Sequence, residues 1–290
     1  MSRIIKYKTI ALLLLLILGT AVTTAQELTN IDISPSVNPA DPDIKIYSGI
    51  GDNIVNSFKG NNIYLHLAGI ASTAILVSTS SDYYFHKYFN GNEAYGRIGR
   101  PVIHIAQYFP FAVGGSLYAY GKLNSDNQAV GASFAVLQST ALAFVYNSLL
   151  KAVTGRPHPN WREEKDMEAL SKQFRFGFLR GGIFWGWPSG HTSSTMAVVS
   201  ALTSFYPDKT WLKIVGYGYT AYMMFAVSSL NRGGMHWFSD AVAAAFMSYA
   251  IGSTVGKYYR SKFDNKTTGQ AASAPSMQIL PDLINFSIAF

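Results

Sequence analysis

Six apolar stretches, most of them 15 to 22 residues long, restrict this chain to a helical fold. They lie at about 64–77, 102–120, 129–150, 192–206, 211–230 and 240–258. Turn-forming sequences such as Asn-Gly-Asn at 90–92 separate neighbouring stretches. Their length is that of long core helices or short membrane spans. Since nothing alternates with the two-residue period of a strand over a useful length, the sequence predicts an all-α bundle with a six-helix core.

The composition of the chain narrows the classes of partner. Of the 290 residues, 49% are hydrophobic and only 13% are charged, and the net charge is +7. The charged fraction is about half that of an average soluble domain. This net positive charge favours binding to anionic lipid or to a phosphorylated substrate. We do not expect nucleic acid as a partner, because the basic residues are dispersed among apolar segments. With no cysteine in the chain, disulfides and thiol catalysis are excluded.

The sequence divides into four segments. In residues 1–25, basic residues precede an apolar run and small residues allow cleavage before Gln26, as in a secretory signal peptide. An uncleaved anchor helix is the alternative. Residues 26–60 are polar and contain Pro and Gly, so we expect an irregular lead segment. Residues 61–260 form the predicted helical domain, and residues 261–290 are expected to be a polar linker with a short tail.

Two short motifs carry the chemistry. The first, Pro-Ser-Gly-His at 188–191, opens an apolar stretch, where a hydroxyl and the free amides of a helix start would suit a phosphate. The second places His236 four residues before Asp240, on one face of a helix. A carboxylate in that position fixes the tautomer and orientation of an imidazole. The two histidines therefore indicate an acid and a nucleophile for phosphate chemistry.

A third segment completes an ordered pattern that resembles a known superfamily. Residues 151–159 read Lys-Ala-Val-Thr-Gly-Arg-Pro-His-Pro. Together with the two motifs, they look like the tripartite signature of the type-2 phosphatidic-acid phosphatase superfamily, which also includes bacterial class A acid phosphatases and vanadium haloperoxidases. That signature is Lys, six residues, Arg-Pro; then Pro-Ser-Gly-His; then Ser-Arg, five residues, His, three residues, Asp. The resemblance covers about residues 60–258.

The resemblance implies a role for each residue of the pattern. His236 would attack phosphorus and form a phosphohistidine, Asp240 would orient it, and His191 would protonate the leaving alcohol and then activate water. The residues expected to bind the phosphate are Lys151, Arg156, His158, Ser189, Gly190 and Arg232. No metal and no other cofactor is implied, since fixed cations can stabilise the phosphoryl charge.

Two positions depart from the signature. His158 stands where the family has its first arginine, and Leu230 stands where it has the second. A guanidinium is the best bidentate phosphate ligand, and neither His nor Leu replaces it. Arg156 and Arg232 are the nearest arginines, and we expect them to bind the phosphate from shifted positions. Weakened oxyanion binding, with altered substrate choice, is the alternative.

Counting the helices places the motifs together without reference to the family. Lys151 closes the third apolar stretch, His191 opens the fourth and His236 opens the sixth. In an up-and-down bundle these three ends lie at the same end of the molecule. The connection 159–187 carries charges followed by aromatic residues, which indicates either a cap that selects substrate or touches lipid, or a surface helix. We interpret His66, His86 and His104 as packed core residues.

The sequence thus predicts a metal-independent phosphatase that hydrolyses a phosphomonoester or a pyrophosphate. The expected partners are a phosphorylated lipid or polyprenyl substrate and a membrane. One alternative is a vanadate-dependent, haloperoxidase-like enzyme, and another is a catalytically weakened protein that binds lipid phosphates. The expected location is the cell envelope, associated with the membrane and facing the periplasm, with a soluble periplasmic protein as the alternative.

Overall fold

The computed structural model describes residues 44–89, 99, 103–159, 166–229 and 235–264. Within these ranges the chain forms helices and contains no strand, so the all-α prediction is confirmed. The predicted signal peptide, the predicted phosphate ligand Arg232 and the C-terminal tail lie outside the described residues.

Nine α-helices have complete bounds in the described ranges. They are α1 Ile50–Asn56, α2 Asn61–Ser78, α3 Ser81–Phe89, α4 Phe109–Leu123, α5 Asn127–Thr154, α6 Met167–Ser171, α7 Gly190–Phe205, α8 Thr210–Ser229 and α9 Phe238–Asp264. Residues 103–106 are also helical, and Gly182–Phe184 form a single 3₁₀ turn. Five of the six predicted apolar stretches coincide with long helices. The stretch at 102–120 is instead divided by a turn at 107–108, between residues 103–106 and α4.

Helix α9 lies at the centre of the fold and packs against α2, α5, α7 and α8. Its closest approach is to α7, where a Cβ atom on Gly252 would lie 2.0 Å from the Ser200 Oγ atom. Small residues thus let the two backbones pack side by side. Helices α7 and α9 both begin at the end of the molecule where α5 ends, as counting the helices predicted. This arrangement brings all three motif segments to one place.

Part of the predicted irregular lead segment is helical, which corrects that expectation. Helix α1 packs through Asn53, whose buried Nδ2 atom donates to the Gln138 Oε1 atom of α5 at 2.6 Å. In the sequence, glycine in this segment indicates an irregular chain, but Gly49, with φ 64°, is the N-cap residue of α1. At the other end of the domain, α9 continues to Asp264, beyond the predicted boundary at residue 260. The division into four segments otherwise stays a prediction.

The end of α5 is joined to the loop that follows α6. Gly155 ends α5 with a left-handed backbone, φ 51°. The N–H groups of Arg175 and Gly177 then donate to the carbonyls of Thr154 and Ala152, at 2.8 and 2.9 Å. These bonds satisfy carbonyls that a helix end leaves without partners. The approach is close, since a Cβ on Gly155 would lie 1.7 Å from the Arg175 carbonyl oxygen.

We therefore expect Gly155→Ala to lower the free energy of unfolding by about 2 kcal/mol or more, because an L residue is strained at this φ and its Cβ meets backbone. Denaturant unfolding followed by circular dichroism measures the change. Gly51→Ala is the matched control, since Gly51 lies in a helix with nothing within 4 Å of an added Cβ. Equal stability of the two variants would contradict this account of the loop.

Among the described helices, α5 alone is long and apolar enough by itself to cross a membrane. Helices α2 and α3 would add a second span if the pair, bent by 73°, counted as one. A buried core helix meets the same criterion, and 13 of the residues of α5 are buried in the protein, among them Ala135 and Asn147.

Candidate active site

The candidate site lies where α5 ends and where α7 and α9 begin. Lys151 is in the last turn of α5, His191 is the second residue of α7, and His236 is two residues before α9. The ring centroids of His191 and His236 are 6.1 Å apart. Two imidazoles that are 45 positions apart in the sequence therefore face each other across a short distance.

The backbone of α8 and the side chain of Asp240 position His236. The N–H groups of Met235 and His236 both donate to the Val227 carbonyl, each at 3.0 Å. The Asp240 Oδ2 atom accepts from the Trp237 N–H at 3.1 Å and lies 3.4 Å from the Nδ1 atom of His236. The carboxylate thus stands beside the Nδ1 atom of His236, which makes no hydrogen bond at this distance, so the contact is electrostatic.

Both facing histidines are held in the neutral form. Burial, followed by the charge of Lys151, lowers the pKa of His191 to about 4. Burial and the charges of Lys151, His158 and His191 lower the pKa of His236 well below its usual value, and a hydrogen bond with the Gly186 backbone opposes this shift. A neutral imidazole has a free lone pair, so each ring can act as a nucleophile or accept a proton.

Behind His236 lies a buried ion network formed by Asp82, Arg156, Ser239 and Asp240. The Nη1 atom of Arg156 donates to the Asp240 Oδ1 atom at 2.5 Å and to the Ser239 Oγ atom at 2.6 Å. Its Nη2 atom donates to the Asp82 Oδ2 atom at 2.7 Å. All three charged side chains are 0% exposed. Arg156 therefore holds the carboxylate that in turn orients His236.

This placement differs from the phosphate-binding role expected of Arg156. Both Nη atoms are engaged by carboxylates, and the guanidinium carbon lies 4.9 Å from the ring of Phe174 and 5.8 Å from that of Trp237. The physical reason is local. Gly155 ends α5, and the residue after it enters the core instead of facing the space between the two histidines.

Lys151 is fixed by the loop that precedes α7. Its Nζ atom donates to the carbonyl of Trp185 and, at 3.4 Å, to that of Gly186. Burial lowers the pKa of Lys151 to about 8, and the charge of Asp240 opposes the shift. Lys151 therefore lies beside both histidines, as predicted, and it carries a charge that can be lost at mildly alkaline pH.

His158 lies 5.2 Å from His236, measured between ring centroids. Its Nδ1 atom is 2.6 Å from the Met235 carbonyl oxygen and its Nε2 atom is 2.9 Å from the Phe184 carbonyl oxygen. Carbonyl oxygens only accept, so a ring that carries both protons satisfies both contacts. Both ring nitrogens of His158 are thus directed at backbone carbonyls, which differs from the phosphate-binding role expected of this residue.

The Pro-Ser-Gly-His motif, predicted to bind phosphate, lies at the start of α7. Ser189 is the N-cap residue, its hydroxyl accepts from the Thr192 N–H at 3.4 Å, and its own N–H donates to the Asp240 carbonyl at 2.9 Å. A Cβ on Gly190 would meet only the Asn147 Nδ2 atom, at 3.9 Å. Gly190 and His191 are partly exposed, so the helix start is accessible from outside.

Sequence reasoning missed three residues of the site. Asn147 precedes Lys151 by one helical turn, so the spacing of four residues could have found it. Ser239 adjoins Asp240 in the sequence. Nothing in the sequence pairs Asp82 with Arg156, because the contact depends on how α3 packs against the start of α9, where Asp82 also accepts from the Ser239 N–H at 2.8 Å.

The other histidines have different environments. His66 and His86 are buried, at 3% and 5% exposed, as predicted for core residues. His104, also predicted to be packed, is exposed, and its charge contributes to the lowered pKa of His191. His104 therefore lies near the site, within the short helical segment 103–106. Among the residues that the structure describes, no group of three or more His, Cys, Asp or Glu side chains could hold a metal ion.

Comparison with known proteins gives one match. Residues 132–264 match the family model described as the PAP2 superfamily. The matched range contains most of α5, all of α7, α8 and α9, and every residue of the site except Asp82 and His104. No curated protein and no solved structure matches the chain.

Proposed function

The chain belongs to the PAP2 superfamily, and from the geometry of its site we propose that it is a metal-independent phosphatase acting on a lipid-linked substrate. The substrate would be a phosphomonoester or a pyrophosphate. The observation that carries the proposal is the facing pair of His191 and His236, with ring centroids 6.1 Å apart and the Asp240 carboxylate behind one ring.

In the proposed reaction, the phosphoryl group is transferred first to His236 and then to water. A ring nitrogen of neutral His236 forms a bond to phosphorus while the bond to the leaving oxygen breaks. His191 gives a proton to that oxygen, which leaves as the alcohol or phosphate. It then takes a proton from water as the water oxygen attacks the phosphohistidine, and the nitrogen–phosphorus bond breaks. Inorganic phosphate is the second product.

His191 must carry a proton to act as the acid, although its pKa in the free protein is about 4. A bound phosphate dianion raises the pKa of His191, because a negative charge within a few ångströms favours the imidazolium form. Substrate binding and protonation of His191 are therefore coupled. The acid forms only when the group that it must protonate is in place.

The charges around the site fit an anion. Among the described side chains here, the carboxylates of Asp82 and Asp240 balance the cations of Arg156 and Lys151. The amides at the start of α7 add partial positive charge. A phosphate could thus be bound without the second family arginine, which is Leu230 in this sequence.

The pH dependence of kcat/KM tests the role of Lys151. As the pH rises through about 8, Lys151 loses its proton, and with it a charge that binds the phosphate, so we expect kcat/KM for phosphatidate to fall. Lys151→Arg keeps the charge at all accessible pH values and should move this decline to higher pH. Identical alkaline limbs in the two proteins would show that Lys151 does not control the decline.

The proposal also places the protein at a membrane in the cell envelope, with its site toward the periplasm and residues 1–25 as the exported signal. Family members are often membrane-associated. Large apolar side chains are exposed along three long helices; they include Tyr64, Leu67 and Ile70 on α2, Phe111 on α4, and Phe144, Val145 and Leu149 on α5. Such extensive apolar surface is typical of proteins that contact lipid. A six-helix core of the PAP2 kind is consistent with the helices described above.

A further inference from the structure

We propose that residues 172–184, here called the docking loop, bind the surface of an anionic lipid bilayer. The proposal extends the proposed function, because it identifies the surface from which a lipid-linked substrate would reach the site. It rests on four features of the loop: exposed apolar side chains, a fixed backbone, an excess of basic residues, and a direct connection to the cations of the site.

The docking loop exposes apolar side chains that a water-facing loop would avoid. Leu179 is 87% exposed, Phe184 is 75% exposed, and Phe176 and Phe178 are 63% and 64% exposed. The rings of Phe176 and Phe178 stack on each other, with centroids 6.4 Å apart. Large apolar side chains exposed this close together in one loop mark an interaction site on a protein surface.

The backbone of the loop is held in place, so the outward direction of these side chains is part of the fold. The Arg175 and Gly177 N–H groups bind the end of α5, as described above. Within the loop, the Gly177 carbonyl accepts from the Gly182 N–H at 3.0 Å and from the Trp185 Nε1 atom at 3.1 Å. Trp185 is buried beneath the loop. The loop therefore has a packed inner side and an apolar outer side.

The charges of the loop indicate what binds it. Its sequence, Lys-Gln-Phe-Arg-Phe-Gly-Phe-Leu-Arg-Gly-Gly-Ile-Phe, contains three basic residues and no acidic residue. Arg175 and Arg180 are exposed and flank the exposed Phe176 and Phe178 in the sequence. Aromatic residues favour the interfacial region of a bilayer, and arginines beside them attract anionic headgroups. Leu149 and Val153 are also exposed, on the helix α5 whose last turn binds the loop.

The docking loop leads directly into the site. The carbonyl of Phe184, its last residue, faces His158, and the carbonyls of Trp185 and Gly186 accept from Lys151. A loop that lies on the headgroups therefore brings Lys151 and His158 close to lipid phosphates. Access from the bilayer surface, instead of from bulk water, follows from this connection.

The absence of cysteine from the chain makes a direct test possible. Leu179→Cys and Leu123→Cys are each labelled with an environment-sensitive fluorophore in the full chain. Leu123 is the matched control: it is 85% exposed, against 87% for Leu179, and it lies near the start of α5, whereas the loop is bound to the end of α5. The two ends of this 28-residue helix are about 40 Å apart at 1.5 Å per residue.

The labelled proteins are mixed with vesicles of phosphatidylcholine alone or with added phosphatidylglycerol. We expect the label at residue 179 to shift to shorter wavelength, and to be quenched by brominated lipid, in proportion to the phosphatidylglycerol content. The label at residue 123 should not respond to phosphatidylglycerol. Replacing both Arg175 and Arg180 with Gln should weaken the anionic-lipid response by about tenfold or more. No enzymatic turnover is needed, so this result is independent of the proposed reaction.

Three outcomes would overturn the proposal. The first is a label at residue 179 that stays in water on every vesicle. The second is a response that does not depend on anionic lipid or on the two arginines. The third is protection of the label only when a second protein is added, which would identify the docking loop as a protein interface. By contrast, loop variants that lose vesicle binding but still hydrolyse a soluble phosphate ester would support docking and the proposed reaction together.

Discussion

Replacing His236 with Ala lowers kcat for phosphate release from phosphatidate by about 10⁴-fold, because the proposed nucleophile is removed while the oxyanion-binding groups remain. Phosphate release is measured over a panel that includes phosphatidate and a polyprenyl pyrophosphate. His66→Ala is the matched control, since His66 and His236 are both 3% exposed but only His236 faces the site. His66→Ala should destabilise the fold and leave kcat of the folded protein near that of the wild type.

An His236→Ala protein that hydrolyses every lipid phosphate at the wild-type rate would exclude His236 as the nucleophile. Loss of activity in both histidine variants in proportion to their unfolded fraction would point to stability instead of chemistry. Recording circular dichroism and turnover on the same samples separates these outcomes.

The second large effect is expected at Arg156. Replacing it with Met keeps most of the side-chain volume but leaves Asp82 and Asp240 buried without their cation. Breaking a buried ion pair from one side costs about 3–5 kcal/mol. We therefore expect Arg156→Met to lower the free energy of unfolding by that amount and to lower kcat, because Asp240 is no longer held behind His236.

Lys257→Met is the control for Arg156→Met, since Lys257 is exposed and lies on α9 away from both the site and the docking loop. Denaturant unfolding and steady-state kinetics of both variants distinguish the two roles considered for Arg156. If Arg156 is a structural residue, its replacement lowers both the free energy of unfolding and kcat. A phosphate ligand would raise KM for the substrate and leave the free energy of unfolding unchanged, and that result would restore the role first expected from the sequence.

The parts of the site that could be predicted are those set by local helical geometry. The spacing of His236 and Asp240 predicts a carboxylate beside the ring, and their atoms lie 3.4 Å apart. The order of apolar stretches predicts that α5 ends where α7 and α9 begin. The order of the stretches succeeds because chain direction determines it. His236, however, lies two residues before α9, so Asp240 reaches its ring from the first turn of the helix and not along one helical face.

The parts that could not be predicted depend on contacts between distant segments. Arg156 lies near the expected position in sequence, yet the left-handed turn at Gly155 leads it toward Asp82 and the core. His158 does lie beside His236, but two backbone carbonyls from other segments occupy its ring nitrogens. In both cases the sequence indicates a basic residue near the site, whereas tertiary packing decides which atoms its side chain contacts.

The central claim is that His236 carries the phosphoryl group during turnover. The most direct test is to incubate the full chain with phosphatidate labelled in its phosphate, quench in alkali, where phosphohistidine is stable, and map the label by mass spectrometry. The account predicts label on His236 that appears before free phosphate and is absent from His236→Ala. Steady turnover by the wild type with no label on His236, or with the label on another residue, would contradict it.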